Sequence, residues 1–274
     1  MNNPVPQRFV NCILWCDCLR GMRVLPDFCI PMTLTSPPYD NLYRYGGHAF
    51  DFETIAAELF RVTMVGGVVV WIIQEQIVDG SETGTSSRQR LFFQQLGFRL
   101  HHTMVMQPYA GRTHSHVRYG GSLQYAFILS KGQPRNVNLI RDHLNSERGR
   151  TRRFTGRTHD GRVFQQPFRT TPTWGARGGV WFYATGRHIA EEAYTKLHPA
   201  RMAEQIARDH ILSWSRPGDL IFDPFAGVGT TCKMAFLSDR RYLGMEIFGP
   251  YWVTALRRLA EARQLRHGLS PRAH

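Results

Sequence analysis

The 274-residue chain has almost no lysine: of its 34 basic residues only Lys131, Lys196 and Lys233 are lysines, and the others are arginines. Acid is short too, with 21 Asp and Glu, so the formal net charge is +13 with His neutral and the pI is near 10.1. Such a balance points to a polyanionic partner, nucleic acid first, because arginines fork onto phosphates and guanine edges; a generally basic, soluble surface is the plainer alternative. No run of eighteen apolar residues occurs, which excludes a membrane-spanning helix, and the start, Met1 to Arg8, has no apolar signal core. An intracellular protein with no membrane partner is expected. The five cysteines are odd in number and suggest no secreted disulfide framework. Cys12, Cys16 and Cys18 lack a second pair at zinc-finger spacing, so they read as core or near-core thiols and no metal site is expected. The length suits one α/β domain with a single core and a small insert.

What is present is organised around Thr35-Ser36-Pro37-Pro38-Tyr39, which follows the apolar Met32-Thr33-Leu34 and reads as the loop leaving a buried strand. Two prolines fix φ and remove two backbone donors, so the turn is stiff and offers carbonyl acceptors without competing N–H groups. Ser36 adds a hydroxyl acceptor and Tyr39 a flat aromatic face. Acceptors beside a stacking surface suit a planar ring carrying an exocyclic amino group, that is cytosine or adenine swung out of its helix. The same five residues also suit a polyproline turn in a linker or a peptide ligand.

A second motif breaks the tie. Asp223-Pro224-Phe225-Ala226-Gly227-Val228-Gly229-Thr230-Thr231 is entered from Leu220-Ile221-Phe222 and followed by the helix-like Cys232 to Leu237. Strand, glycine turn and helix in that order form a cofactor-binding pattern: Gly227 and Gly229 allow close approach and positive φ, while Asp223 ends the strand with an acceptor for hydroxyls or an amine. It is not a phosphate loop, since Gly229 is followed by Thr230 and Thr231 and Lys233 arrives too late. Glu246 ends the next strand-like run, where a carboxylate can take two ribose hydroxyls.

With both motifs in this order the chain resembles, over nearly its whole length, the DNA amino-methyltransferases that use S-adenosylmethionine, in the permuted group whose catalytic loop precedes the cofactor loop. Ser36, Pro37, Pro38 and Tyr39 match the catalytic Ser-Pro-Pro-Tyr. Asp223 to Thr231 match the cofactor loop, with Val228 at its variable position. The resemblance implies methyl transfer to the exocyclic amino group of a flipped base in double-stranded DNA, cytosine N4 by virtue of Ser36. Adenine N6, which the family more often associates with Asp or Asn at that position, stays open, as do RNA methylation and a non-catalytic DNA-binding or partner subunit. The cofactor residues it implies are Asp17 at the adenine edge, Thr35, His198 beside the methionine end, Asp223, Pro224, Phe225, Ala226, Gly227, Gly229, Thr230, Thr231, and Glu246 at the ribose. The implied fold is α/β: a class I methyltransferase, circularly permuted, with a doubly wound, mostly parallel seven-stranded sheet, one strand antiparallel, and a small target-recognition insert. Residues 1–130 would be the catalytic half, 131–190 the insert and 191–274 the cofactor half of the same domain. The protein would be DNA-associated, cytoplasmic if bacterial, and a homodimer is left open.

An amino nitrogen conjugated to its ring is a poor nucleophile. The Ser36 hydroxyl and Pro37 carbonyl, each accepting one amino hydrogen, would favour a tetrahedral nitrogen with its lone pair on the cofactor methyl, while Tyr39 stacks the ring. No covalent nucleophile is needed; cytosine C5 chemistry would use a Pro-Cys thiol, and no proline here precedes a cysteine.

Elsewhere, 9–15 reads as a buried strand delivering Asp17, which also suits a helix N-cap. Residues 52–60 carry apolar positions at helical spacing behind Asp51, and 68–73 are apolar enough for a strand covered on both faces. Ser86 to Gln89 reads as a capping box, and 98–106 and 123–129 as neighbouring strands. Arg44, in a glycine-ended loop, and Arg112 and Arg118, in a connection with His114 and His116, are candidate DNA contacts. Between 130 and 187 no period is sustained, turn formers abound, and arginines alternate with Phe154, Phe164, Phe168 and Trp174, a mix suited to phosphates and base edges. Arg150, Arg152, Arg153 and Arg157 are its candidate DNA contacts.

Overall fold

The computed structural model describes residues 3–38, 50–108, 123–183 and 202–266. They fall into two compact units, Met1–Asn138 with Gly179–His274, and Leu139–Gly178. In chain order the first unit begins with β1 (Cys12–Trp15), α1 (Cys18–Arg23), β2 (Ile30–Thr35), α2 (Phe52–Val62), β3 (Thr63–Gln74), a small hairpin of β4 (Ile77–Val78) and β5 (Ser81–Glu82), α3 (Thr85–Gln95), β6 (Arg99–Pro108) and β7 (Gln124–Ser130). The second unit holds β8 (His143–Leu144), β9 (Thr151–Arg157), β10 (Val163–Thr170) and β11 (Trp174–Gly175). The first unit then resumes with β12 (Val180–Tyr183), α4 (Glu204–Trp214), β13 (Leu220–Asp223), α5 (Thr230–Leu237), β14 (Arg241–Glu246) and α6 (Gly249–Arg266).

The main sheet has the order β1-β14-β13-β2-β3-β7-β6-β12, and every neighbouring pair is parallel except those made by β7. Seven strands give the expected doubly wound pattern with one antiparallel member; β12 adds an eighth at the edge, beside Val105 to Pro108. It was absorbed into the insert by sequence because it is four residues long, half exposed and entered from Gly178-Gly179.

β3 explains the layering. Val69, Trp71 and Ile73 join Met22, Ile55, Ala56, Leu59, Val62 and Phe93 of α1, α2 and α3 in one core. The alternate residues Val68, Val70 and Ile72 are equally buried, so both faces of the strand are covered, as its unbroken apolar run requires. Two helices are capped as their sequences suggest, with Asp17 accepting from Arg20 N at 3.0 Å and Asp51 from Thr54 N at 3.2 Å. The capping box at Ser86 does not form. α3 starts one residue after Gly84, in the left-handed region at φ 68°, and its first amides, Thr85 N and Ser86 N, go to the Glu75 carboxylate at 3.0 and 2.9 Å. A full carboxylate across the loop serves the positive end of a helix better than a hydroxyl.

In the second unit β9 and β10 pair antiparallel, with a register shift between Gln165 and Phe168 where Pro167 has no N–H to give the ladder. Both strands are exposed along almost their whole length on both faces, so neither shows the alternation of a half-buried strand. Asn145 Nδ2 bonds Pro172 O at 2.8 Å and Arg177 Nε bonds Asp142 at 2.9 Å, closing the base of the unit.

Candidate active site

The sheet order reverses between β13 and β2: the chain leaves β13 through α5 toward β14, and leaves β2 through α2 toward β3. Ligands of open α/β sheets bind in the crevice at such a switch point, beyond the carboxyl ends of the strands. Thr35 ends β2 and Asp223 ends β13, and the two are joined there, Thr35 Oγ1 donating to Asp223 Oδ1 at 2.7 Å with both side chains buried. Phe225 N donates to the same oxygen at 3.1 Å, because Pro224 has no N–H and the turn closes on the next residue. Burial pushes the Asp223 carboxyl up to about 6, against the bonds from Thr35, Thr231 and Phe225 that pull it down.

Glu246, at the end of β14, binds two backbone amides, Gly227 N at 2.7 Å and Phe248 N at 2.8 Å. It thus ties the glycine loop to the turn after β14. Burial raises its carboxyl above the ordinary value, opposed by those amides. In the loop Gly227 has φ 51° and Gly229 φ 79°, and a Cβ on Gly229 would sit 2.8 Å from that of Ala255. Thr231 Oγ1, in the first turn of α5, donates to Leu34 O of β2 at 3.4 Å, a second tie between the two motifs. Phe225 turns its ring to Phe50 and Trp71, at 5.8 and 6.4 Å between centres, and so anchors the loop in the core. Ala226 N bonds Met245 O at 2.8 Å, and Pro224 and Thr230 are buried.

Ser36 is half-buried, Pro37 buried and Pro38 half-buried directly beyond Thr35. Asp17 is exposed and caps α1; since Trp15 pairs with Glu246 and Cys16 N bonds Glu246 O at 3.0 Å, it lies at the strand end next to that of Glu246. Tyr39, Arg44, Arg112, Arg118 and His198 lie outside the described residues. Arg150, Arg152, Arg153 and Arg157 belong to the other unit, on and just before β9.

Sequence reasoning missed Arg258. It is fully buried in α6, and its guanidinium donates to Val228 O at 2.9 Å and to Thr230 Oγ1 at 3.0 Å while pairing with Glu204, which also takes Lys233 Nζ at 2.8 Å. The signal was present: Arg258 shares a helical face with Ala255, Leu259 and Ala262, and a charge there has to be paired. Trp15 was also missed. It stacks on Trp252 at 5.8 Å and donates to Ile247 O at 3.0 Å, fixing the turn beside Glu246.

Two carboxylates at adjoining strand ends, a glycine loop between them and a proline-stiffened acceptor loop alongside can hold a polar cofactor against a planar amine. Comparison with known proteins agrees in kind. The family model described as DNA methylase, of the N6/N4 type, matches residues 30–253. The orphan methyltransferase M.BamHII of Bacillus amyloliquefaciens is 43% identical over 237 residues, 85% of this chain and 89% of the relative. Among solved structures, the PvuII DNA methyltransferase (cytosine-N4-specific) superposes with a TM-score of 0.65 at 15% identity, over 90% of this chain and 85% of that one. The complex of M1.HpyAVI with S-adenosylmethionine superposes with a TM-score of 0.60 at 16% identity, over 90% and 98%.

Proposed function

The chain belongs to the N6/N4 DNA methylase family, and from that premise we propose that the group it methylates is N4 of a cytosine flipped out of double-stranded DNA. It is a DNA methyltransferase that uses S-adenosylmethionine. The observation that carries the proposal is the 2.7 Å bond between Thr35 and Asp223, which brings the start of the Ser36 loop against the glycine loop at the switch point.

The residues fit that cofactor. Each Glu246 oxygen already accepts one amide and has a lone pair left for a ribose hydroxyl, and the buried carboxylate of Asp223 would accept from the cofactor's cationic amino group. Asp17, at the neighbouring strand end, is assigned the adenine edge, and His198 the methionine end. When bound, the cofactor supplies an electrophilic methyl group. The protein's task is to make a delocalised amine attack it. Ser36 Oγ and the Pro37 carbonyl accept one amino hydrogen each, localising the nitrogen lone pair, and Tyr39 stacks the base. Holding two reactants in line can itself lower the barrier by about 7–11 kcal/mol, so the loop needs no covalent nucleophile. Arg44, Arg112, Arg118, Arg150, Arg152, Arg153 and Arg157 are assigned to the DNA.

The test is direct. DNA incubated with the protein and S-adenosylmethionine is digested to nucleosides and the modified base identified by mass. N4-methylcytosine is expected; N6-methyladenine alone would overturn the assignment of the base and leave the family standing.

A further inference from the structure

We propose that, of the two faces of the β9–β10 hairpin, the one carrying Arg153, Thr155, Arg157 and Gln165 lies along base edges in the major groove and selects the methylated sequence. This rests on the DNA methyltransferase reading above and adds which residues select the site. The register defines the faces, since opposed residues of an antiparallel pair share a face and successive residues alternate. Arg153 opposes Phe168, Thr155 opposes Gln165 and Arg157 opposes Val163 on one face, while Arg152 opposes Arg169 and Gly156 opposes Phe164 on the other. Side-chain contacts keep to that division. Gln165 Nε2 donates to Thr155 Oγ1 at 3.3 Å and the Arg153 guanidinium lies 4.7 Å from the Phe168 ring centre; on the opposite face Arg152 lies 4.6 Å from that of Phe154, and Phe164 covers Gly156 so closely that no Cβ would fit.

Charge separates the two faces. Glu147 pairs with Arg152 at 2.5 Å and with Arg150 at 3.0 Å, so the guanidinium forks on the Arg152 face are partly occupied and suit base edges less than the free forks of the other face. Among the described residues no carboxylate pairs with Arg153 or Arg157. The unneutralised face also has the reading chemistry: arginine forks onto guanine O6 and N7, glutamine onto adenine N6 and N7, and a threonine hydroxyl or a phenyl ring meets other edges, including the thymine methyl. Size agrees. A groove about 12 Å wide admits a two-stranded ribbon, and the four-residue step from Arg153 to Arg157 spans ~13 Å, roughly four base pairs. A lone two-stranded ribbon is marginal in water, and this one is bare on both faces, which fits an element that finds its cover in the groove. Arg152 and Arg169 are left for phosphates along the groove walls.

The experiment maps methylated positions across bacterial genomic DNA treated with the purified chain and S-adenosylmethionine, for the parent and for Arg153→Ala, Gln165→Ala and Arg169→Ala. The parent should modify one short sequence motif. Gln165→Ala and Arg153→Ala should each accept any base at one position of that motif, so that modified sites increase about fourfold, and Arg169→Ala should keep the motif. Thermal melts of the exposed-surface variants should match the parent, and cofactor affinity should be unchanged. An unaltered motif in both face variants, or relaxation by Arg169→Ala instead, would overturn this inference alone. A parent that leaves no methylated base on DNA would overturn the enzymatic reading, and this inference with it.

Discussion

Asp223 accepts bonds from Thr35 and Phe225 N where almost no water reaches, and that setting makes it a titrating group. Its folded-state pKa of about 6 lies above its ordinary value of 3.8, so the neutral form is favoured by folding. The associated stabilisation is complete below the unfolded value and is lost as pH rises through about 6, a span worth on the order of 3 kcal/mol. The cofactor-free protein should therefore gain relative to Asp223→Asn as pH falls from 7.5 to 5, by roughly 1–2 kcal/mol in urea melts. A pH-independent difference between the two would show that the carboxyl is not raised. A cationic amino group of the bound cofactor should reverse the preference, because an opposite charge favours the ionised form. Variants at Ser36 and Glu246 test whether the two loops differ in function. Ser36→Ala should lower turnover by about 10²-fold or more with cofactor affinity intact. Glu246→Ala, which removes a charged acceptor of two amides, should weaken cofactor binding in calorimetry by about tenfold or more. Normal turnover in Ser36→Ala would remove that hydroxyl from the mechanism.

α6 illustrates how a later element sets the glycine loop after β13. Arg258 reaches from it to Val228 O and Thr230 Oγ1, and Glu204 of α4 gathers both Arg258 and Lys233 of α5. Replacing Glu204 takes from both cations the carboxylate they share, whereas replacing Arg258 leaves Glu204 with Lys233. Glu204→Gln should thus be the more destabilising, by about 3 kcal/mol, and Arg258→Met the milder change in denaturant midpoint but the one that weakens cofactor binding. Equal loss of stability with unchanged cofactor affinity would limit the network to packing. The glycine loop itself was legible because its determinants are local: Asp223 ends an apolar strand, and Gly227 and Gly229 adopt the positive φ that their residue type permits. The Glu75 cap of α3 was not, since its partners stand ten and eleven residues away and a local Ser-x-x-Gln pattern competed for the same reading. The β9–β10 ribbon escaped for the opposite reason: with both faces exposed it has no hydrophobic alternation to read, although its arginines and aromatics were visible.

At the scale of the chain, buried carboxylates at the switch point contrast with a composition rich in arginine. Asp223 and Glu246 bury two carboxylates at adjoining strand ends, while the formal charge of the chain is +13. Reversing the order of the two halves leaves the crevice unchanged, because Asp223 and Thr35 meet through the parallel pairing of β13 with β2 whichever strand comes first in the chain. The net charge should then govern encounter with DNA. If six or more phosphates are neutralised, affinity should fall by about 10³-fold or more between 50 and 200 mM salt, and each lost contact should reduce the slope of log K against log salt by about 0.9. Arg150 and Arg152 already share Glu147, and exposed pairs of this kind contribute only ~0–1 kcal/mol each, so Glu147 competes weakly with phosphate. Glu147→Gln should accordingly tighten binding to duplex DNA of any sequence, by a few-fold at low salt, because two guanidinium groups lose their internal anion. Arg150→Ala with Arg152→Ala should do the reverse and flatten the slope by nearly two units. Both effects should be readable by fluorescence anisotropy on a duplex, with cofactor affinity unchanged because Asp223 and Glu246 belong to the other unit. A slope identical in all three proteins would mean that these arginines only solvate the ribbon, and the electrostatic grip would then belong to Arg112 and Arg118.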